Sequence, residues 1–187
     1  MASDLKGRKI AILATDGFEQ SELMEPRKAL DKAGAKTVVI APKAGKINGW
    51  KHTEWGEAVD VDQELAKSDV HDFDALILPG GVMNPDHLRM DEKAVDFVGQ
   101  FVKSGKPVAA ICHGPWTLME TGALRGKTVT SWPSLKTDLK NAGANWVDQE
   151  VAHDGQFITS RKPEDIAAFT RAIIELVSGN ARQTRAA

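Results

Sequence analysis

The sequence predicts an α/β protein whose central sheet is largely parallel and carries helices on both faces. Short runs that are apolar nearly throughout, at 9–14, 36–41 and 74–78, are typical of strands buried on both faces. Longer segments with apolar residues at helical spacing lie between such runs. Regular alternation of strands and helices favours a parallel sheet, because each helix carries the chain back to start the next parallel strand.

The first half of the chain contains three of these strands. Its expected elements, in order, are a strand at 9–14, a helix at about 19–33, a strand at 36–41, a small antiparallel excursion at 42–62 and a strand at 74–78. Pro26 predicts a kink or a break in the first helix, since proline removes one helical hydrogen bond. Trp50 and Trp55 of the excursion are expected to cover a core edge or a subunit contact rather than to bind a base.

The second half continues the alternation to the end of the chain. Its expected elements are a helix at 91–104 capped by Gly105, a strand at 107–111, a helix at 113–121, a strand at 127–131, a helix at 134–142, a hairpin over 147–160 and a helix at 163–177. No linker, internal repeat or low-complexity run divides the chain. We therefore expect a single domain over residues 1–187, with a frayed tail at 180–187.

Composition and charge narrow the functional classes. The 187 residues are 42% hydrophobic and 27% charged, and the formal net charge of −2 offers no global attraction to nucleic acid or to an anionic membrane. With one cysteine, the chain forms no internal disulfide and offers no cysteine-based zinc site. A charged beginning and the absence of 18 consecutive apolar residues predict a soluble, cytoplasmic protein.

The one cysteine, Cys112, lies where the strand at 107–111 meets a helix start punctuated by Gly114 and Pro115. A strand that runs directly into a helix in this way is typical of a nucleophile elbow, which exposes a side chain at the end of a sheet. The start of a helix also favours a thiolate over a thiol. The sequence therefore predicts an enzyme with a cysteine nucleophile and a thiol more acidic than usual.

Three strand ends carry polar or glycine residues that converge on this cysteine if the sheet is parallel. The first strand is followed by Glu19, the strand at 74–78 by Gly80 and Gly81, and the cysteine strand by His113. Glu19 is either a helix-start charge or a carboxyl group that positions the sulfur and moves its proton. The backbone N–H groups of Gly81 and His113 are candidates for an oxyanion hole.

His113 is the candidate general base for Cys112, and a third group is then expected to orient its ring. Asp86, in the expected loop after Gly81, is the candidate for that role. The alternative for Asp86 is an ordinary turn or helix cap.

Four stretches, taken in this order and spacing, resemble the ThiJ/PfpI family and most closely its branch of PfpI-type intracellular proteases and general stress proteins. They are LPGG at 78–81, KPVAAICHGP at 106–115, NAGANWVD at 141–148, and DG at 154–155 followed by ITSR at 158–161. The resemblance runs from about residue 8 to residue 177.

The resemblance implies a flavodoxin-like three-layer α/β/α sandwich, a strained elbow at Cys112 and a contact between Glu19 and the cysteine. It also implies a homodimer that can build a hexamer or a larger ring. In the PfpI branch the residue that orients the histidine comes from a neighbouring subunit and is usually glutamate. The matching position here is Asp86, which is shorter by one methylene group.

The wider superfamily includes the class I glutamine amidotransferases, which carry a distant His-x-Glu pair near the C-terminus. In this chain His153 is followed by Asp154 and Gly155, and the last expected helix has no histidine. Glutaminase chemistry is therefore disfavoured.

Three functions remain open. The first is the repair of reactive carbonyls or glycated adducts, a deglycase or glyoxalase type of chemistry that needs no metal or organic cofactor and acts on a small aldehyde or on a glycated protein or peptide. The second is peptide hydrolysis by Cys112, His113 and Asp86. The third is a stress chaperone or redox sensor whose cysteine is oxidised instead of turned over. The first is favoured, with proteolysis next.

Overall fold

Twelve strands and six helices make up the computed structural model, which describes residues 4–179. The strands are β1 (Lys9–Leu13), β2 (Phe18–Glu19), β3 (Lys36–Ala41), β4 (Lys46–Lys51), β5 (Glu54–Asp60), β6 (Gln63–Glu64), β7 (Ala75–Leu78), β8 (Val108–Ile111), β9 (Thr128–Val129), β10 (Asn145–Trp146), β11 (Val151–Asp154) and β12 (Phe157–Ser160). The helices are α1 (Gln20–Lys32), α2 (Met83–Met90), α3 (Glu92–Ser104), α4 (Pro115–Met119), α5 (Lys136–Asn141) and α6 (Ile166–Val177).

Seven of the strands form one central sheet in the order β11-β12-β8-β7-β1-β3-β6. Every neighbouring pair is parallel except β11 and β12, which form an antiparallel hairpin at one edge. Leu78 pairs with Ala110 across β7 and β8, so Gly80 and Cys112 come level at the same edge. The carboxyl ends of the parallel strands therefore meet at one place, as the sequence predicted.

Helices cover both faces of this sheet. Ala11 and Leu13 of β1 pack on one side with apolar residues of α2, α3, α4 and α5, while Ile10 and Ile12 pack on the other side with α1 and α6. Successive strand residues point to opposite faces, so a strand covered on both sides must be apolar throughout. The predicted flavodoxin-like three-layer sandwich is confirmed.

A second, three-stranded sheet has the order β2-β4-β5, and its β4 and β5 are the antiparallel excursion that the glycine-rich segment predicted. Its connection to the site is direct, because β2 pairs Glu19 with Trp50 of β4. Among residues 4–179, no helix is long and apolar enough to cross a membrane.

The structure differs from the sequence predictions at several elements. Helix α2 occupies a segment expected to be a loop, and a proline in its first turn, Pro85, suits a helix start. Helix α1 continues through Pro26, whose side chain is buried, so the helix does not break there. Helix α4 is shorter than expected, and β9 pairs with β10 instead of joining the central sheet. The predicted frayed tail at 180–187 lies outside the described residues.

Candidate active site

Cys112 adopts a backbone conformation that few side chains tolerate. Its φ is +61°, the left-handed region, directly after β8 and three residues before α4 begins. Its N–H donates to the carbonyl of Ser160 (3.0 Å), and its own carbonyl accepts from the N–H of Trp132 (2.9 Å). Bonds on both sides of the residue hold the strained turn in place. The nucleophile elbow predicted from the sequence is confirmed.

Two glycines permit the chain to pack tightly around this turn. A Cβ added to Gly80 would lie 2.7 Å from Cβ of Cys112, and one added to Gly114 would lie 2.9 Å from the carbonyl oxygen of Ile111. Buried Asn84 fixes the glycine turn, because its side-chain amide donates to the carbonyls of Pro79 (3.0 Å) and Gly80 (3.1 Å). Only a residue without a side chain fits at either glycine.

The carboxyl group beside the sulfur belongs to Glu22. Its side chain is fully buried, Oε2 accepts a hydrogen bond from the N–H of Gly80 (2.8 Å), and the carboxyl group interacts with the Cys112 thiol. Within residues 4–179, no N–H or O–H group donates to its other oxygen, Oε1. A buried acid with one free oxygen next to a thiol is suited to exchanging a proton with it.

The expected contact between Glu19 and the cysteine is therefore wrong, and the correction has a helical reason. Helix α1 begins at Gln20, so Glu19 stays at its entrance, half-buried, with Ser21 as its hydrogen-bond partner (3.4 Å). Glu22 lies in the first turn and points inward. A signal was present in the sequence: Glu22, Pro26 and Leu30 follow one another at four-residue intervals, which places a carboxyl group on an apolar helix face.

Burial and mutual contact set the protonation of Cys112 and Glu22. Burial raises the pKa of Glu22 from 4.5 to about 8. Burial, followed by the Glu22 carboxylate, raises the pKa of the Cys112 thiol, whereas the backbone N–H groups of His113 and Gly81 hydrogen-bond to the sulfur and lower it. The sequence prediction of an unusually acidic thiol is wrong in direction, because it considered the helix start without the buried acid.

At neutral pH the two groups hold at least one proton between them. Two interacting acids lose their protons in steps that belong to the pair. A reactive thiolate is available when that proton resides on Glu22, which then donates a hydrogen bond toward the sulfur. The arrangement therefore permits proton exchange between Cys112 and Glu22.

His113 is held by aromatic rings. Its Nδ1 lies 3.2 Å from the Cys112 sulfur. The ring stacks against Trp132, with centroids 6.1 Å apart, and meets the edge of Trp116 at 5.2 Å. Trp116 is fixed in turn by a hydrogen bond from its indole N–H to Asp138 (3.0 Å). Burial lowers the pKa of His113 to about 4, so the ring is neutral at physiological pH and can accept a proton.

Asp86 is not brought to His113 within one subunit. It lies in the first turn of α2 instead of in a loop, and its side chain is exposed. Within the described part of the chain, no carboxylate hydrogen-bonds to the His113 ring. A contribution of Asp86 from a neighbouring subunit stays a prediction.

A cleft of about 880 Å³ opens over the cysteine. The cleft is lined by Cys112, His113, Gly81, Glu19 and Glu22. It is also lined by residues that sequence reasoning did not place here, among them Trp50, His52, Trp132, Lys162 and Glu164. They come from β4, from the turn after it, from the segment after β9 and from the turn before α6. Trp50 therefore faces the site and not only a core edge, and nothing in the local sequence distinguishes these positions. Among residues 4–179, no three His, Cys, Asp or Glu side chains are grouped to hold a metal ion.

The structure is a parallel α/β sandwich that carries a cysteine in a strained strand-to-helix turn, next to a histidine and a buried glutamate. This combination defines a class of α/β proteins with a cysteine at a nucleophile elbow. Residues 8–176 match the DJ-1/PfpI family, and the chain belongs to that family.

Curated relatives and a solved structure agree with this assignment. The chain is 45% identical over 170 residues to "Putative cysteine protease YraA" of Bacillus subtilis (strain 168), which covers 91% of this chain and 98% of the relative. It is 45% identical over 173 residues to "Protein/nucleic acid deglycase 2" of Escherichia coli (strain K12), with the same coverage of 91% and 98%. The crystal structure of Drosophila melanogaster DJ-1beta superposes with a TM-score of 0.83 at 29% identity, covering 92% of this chain and 91% of that one.

Proposed function

We propose that this protein is a cysteine-dependent enzyme that repairs carbonyl damage, removing early adducts of dicarbonyl aldehydes from amines or thiols and converting the released carbon skeleton to a hydroxy acid. The observation that carries this proposal is the buried Cys112–Glu22 pair, in which Oε1 of the acid is free to move protons beside the sulfur. The deglycase name of the Escherichia coli relative supports the same chemistry.

The first step exchanges the amine or thiol of the adduct for the enzyme's sulfur. Cys112 attacks the carbinol carbon, a C–S bond forms, and the C–N or C–S bond to the damaged group breaks. The leaving group departs with the proton that the Cys112–Glu22 pair held. A free dicarbonyl aldehyde enters the same path by simple addition of the thiol to its aldehyde carbon.

The second step is an internal rearrangement of the bound hemithioacetal. Glu22 removes the hydrogen on the sulfur-bearing carbon as a proton and returns it to the neighbouring carbonyl carbon. The hydroxyl proton of the hemithioacetal passes to the oxygen of that neighbouring carbonyl, so that this carbonyl becomes a hydroxyl group and the carbon on sulfur becomes the carbonyl of a thioester. No external oxidant is required, because one carbon is oxidised as its neighbour is reduced. An acid with a raised pKa is suited to both halves of this transfer.

The third step is hydrolysis of the thioester. Neutral His113 takes a proton from water, the resulting hydroxide equivalent attacks the carbonyl, and the thiol leaves as the hydroxy acid is released. We propose that the N–H groups of Gly81 and His113, which hydrogen-bond to the sulfur, stabilise the oxyanion in this step. We propose that neither a metal nor an organic cofactor takes part.

Peptide hydrolysis is the second candidate, favoured by the adjacent sulfur and imidazole (3.2 Å) and by the protease name of the Bacillus relative. Peptide hydrolysis requires that His113 be oriented for acyl transfer, a role that a carboxylate usually fills. Within one subunit, two indole rings hold the imidazole instead. Peptidase activity would therefore depend on a neighbouring subunit more than carbonyl repair would.

One preparation tests these reactions together. We would measure methylglyoxal loss and lactate formation, release of N-acetylcysteine from its methylglyoxal adduct, and cleavage of a fluorogenic peptide. Adduct release is repeated with excess aminoguanidine, which traps free aldehyde and so separates action on the adduct from action on methylglyoxal in equilibrium with it. Cys112→Ala is the control for every assay.

Lactate formation that disappears in Cys112→Ala supports carbonyl repair. Peptide cleavage alone, lost in the same variant, supports the peptidase. If the wild type turns over none of the substrates while peroxide oxidises Cys112, the redox sensor or chaperone takes the place of both enzymes.

A further inference from the structure

Two carboxylates outside the buried pair act on it from the same cleft. The carboxylates of Glu19 and Glu164 act on Glu22 and both disfavour its ionisation. They lie at opposite ends of the chain, at the entrance to α1 and in the turn before α6, and the fold brings them to one cleft. Apart from buried Glu22, the cleft is lined by three carboxylates, those of Glu19, Glu25 and Glu164, and by two lysines, Lys51 and Lys162. This excess of carboxylates favours a negative potential where a substrate must enter.

Among the described residues, neither Glu19 nor Glu164 forms a salt bridge with a basic side chain. The hydrogen-bond partners of Glu19 are neutral groups of Ser21, although its half-buried position makes a lone charge costly. Lys51 and Lys162 also line the cleft, but within residues 4–179 neither forms an ion pair with Glu19 or Glu164. His52 lowers the pKa of Glu19, but burial has the larger effect and the pKa stays above its usual value.

Two further observations indicate that a ligand completes the site. Glu22 is fully buried and lines the cleft, and within residues 4–179 its Oε1 has no N–H or O–H partner, so this oxygen is available to a polar group of a ligand. The indole rings of Trp50 and Trp132 line the same cleft. Carboxylates combined with indole faces are the set of groups that recognises ammonium and guanidinium ions.

We propose that Glu19, assisted by Glu164, is a specificity-determining residue that binds a positive charge carried by the substrate next to its damaged carbon. The preferred substrates are then carbonyl adducts with a neighbouring ammonium or guanidinium group, and adducts with a neighbouring carboxylate are rejected. This assignment of substrate class rests on the proposed carbonyl-repair function, but the charge selection at Cys112 can be measured without turnover.

The selection is tested first by the reaction of Cys112 with two methanethiosulfonates, one bearing a trimethylammonium group and one bearing a sulfonate. Because Cys112 is the single cysteine of the chain, intact mass reports its labelling directly. Labelling rates are measured at pH 8 and low ionic strength for both reagents. The rate with the cationic reagent divided by the rate with the anionic one gives a ratio for Cys112, and dividing it by the same ratio for N-acetylcysteine amide measures the selection. We expect a ratio of about 10 for the wild type, since partly exposed charges contribute about threefold for each sign of the reagent.

Four comparisons make this measurement specific. Glu19→Gln keeps the shape of the side chain and should reduce the ratio to about 3, and Glu164→Gln should reduce it by a smaller factor. Glu175→Gln removes an exposed charge on the far part of α6 and should leave it unchanged. Salt at about 0.5 M should abolish most of the wild-type preference by screening. A wild-type ratio near 1, or one that Glu175→Gln lowers as much as Glu19→Gln does, overturns the proposal.

Turnover gives the second readout. The substrates are methylglyoxal adducts on the thiol of Ac-Xaa-Cys-NH₂ dipeptides in which Xaa is trimethyl-lysine, glutamine or glutamate. We expect kcat/KM to decrease in that order, with a cation-to-anion ratio of about 10 that falls to about 3 in Glu19→Gln. Charge-selective labelling without turnover of any adduct would refute the proposed function and keep the cation site. Turnover that is indifferent to charge, with unselective labelling, would refute the cation site alone.

Discussion

Glu22 carries an acid into the core beside the nucleophile, and this has a cost that depends on pH. The folded protein holds the proton of Glu22 up to a pKa of about 8, whereas an unfolded glutamate releases it near 4.5. Between these values the folded state binds more protons than the unfolded state. Its free energy of unfolding therefore falls as pH rises through this window, and this contribution is fully present below about 4.5.

We predict that Glu22→Gln becomes progressively more stable than the wild type between pH 5 and pH 8. The amide has no charge to bury, so the gap should widen by the order of 1 kcal/mol for each pH unit. Urea unfolding at several pH values measures it. Repeating the series in a Cys112→Ala background separates the ionisation of Glu22 from its coupling to the thiol. If the unfolding free energies of Glu22→Gln and wild type changed with pH in parallel, the pKa of Glu22 would not be raised.

The same substitution tests catalysis at the residue scale. Glu22→Gln should lower kcat of carbonyl repair by about 10²–10⁴-fold, because an amide can hydrogen-bond the sulfur but cannot carry a proton between two carbons. Glu19→Gln is the matched control, three residues away on the same cleft, and should change kcat for an uncharged substrate by less than about tenfold. A larger loss in Glu19→Gln than in Glu22→Gln would restore the role that the sequence assigned to Glu19.

At the scale of elements, the site depends on how closely the turn after β7 approaches the elbow after β8. The carbonyl of Gly80 accepts from the N–H of Glu19 (3.3 Å), and its N–H donates to Glu22, so the turn also connects the start of α1 to the cysteine. Because the backbone of Gly80 lies this close to Cys112, Glu19 and Glu22, there is no volume for a methyl group at this position.

We predict opposite effects for two glycine-to-alanine substitutions. Gly80→Ala should abolish most activity and destabilise the fold by roughly 1–3 kcal/mol, since its Cβ would lie 2.7 Å from Cβ of Cys112. Gly99→Ala, inside α3, should stabilise by roughly 0.5–1 kcal/mol, because the nearest atom to its Cβ is 4.0 Å away and alanine favours the helix. Thermal unfolding and turnover of both variants measure the difference. Equal behaviour of the two would mean that the turn can move away from the elbow.

At the scale of the whole molecule, our prediction concerns the group that orients His113. Two indole rings hold the imidazole inside one subunit, and Asp86 lies exposed on α2, where a second copy of the chain can reach it. A homodimer or larger ring in which Asp86 orients a neighbour's His113 is our prediction for the working assembly.

Mixing of inactive chains tests that prediction. Cys112→Ala and Asp86→Ala subunits, combined and allowed to exchange, should regain part of the activity, because some sites then contain an intact Cys112 and His113 with an intact Asp86 from the neighbour. Native mass spectrometry of the mixture, with one variant isotopically labelled, checks that the subunits have exchanged. Full activity of Asp86→Ala on its own would remove Asp86 from the site.

The local sequence pattern alone determined much of the fold of this protein. Apolar runs at β1, β3 and β7 predicted a buried parallel sheet, because strands covered on both faces have no room for polar side chains. The position of Cys112 between a strand and a helix start predicted the elbow. The short α2, with no apolar stripe of sufficient length, was beyond such reasoning.

The tertiary structure decided what surrounds the sulfur. Whether Glu19 or Glu22 reaches Cys112 depends on the residue at which α1 begins and on the rotation of that helix against the sheet. Shifting the start of the helix by three residues would exchange a carboxylate in the cleft for a buried one. The direction of the thiol's pKa follows from the same packing, since burial and a neighbouring acid outweigh the N–H groups of the elbow. Trp132 and Glu164 meet the site only because distant turns converge at the carboxyl edge of the sheet, a proximity in space that no local pattern of residues contains.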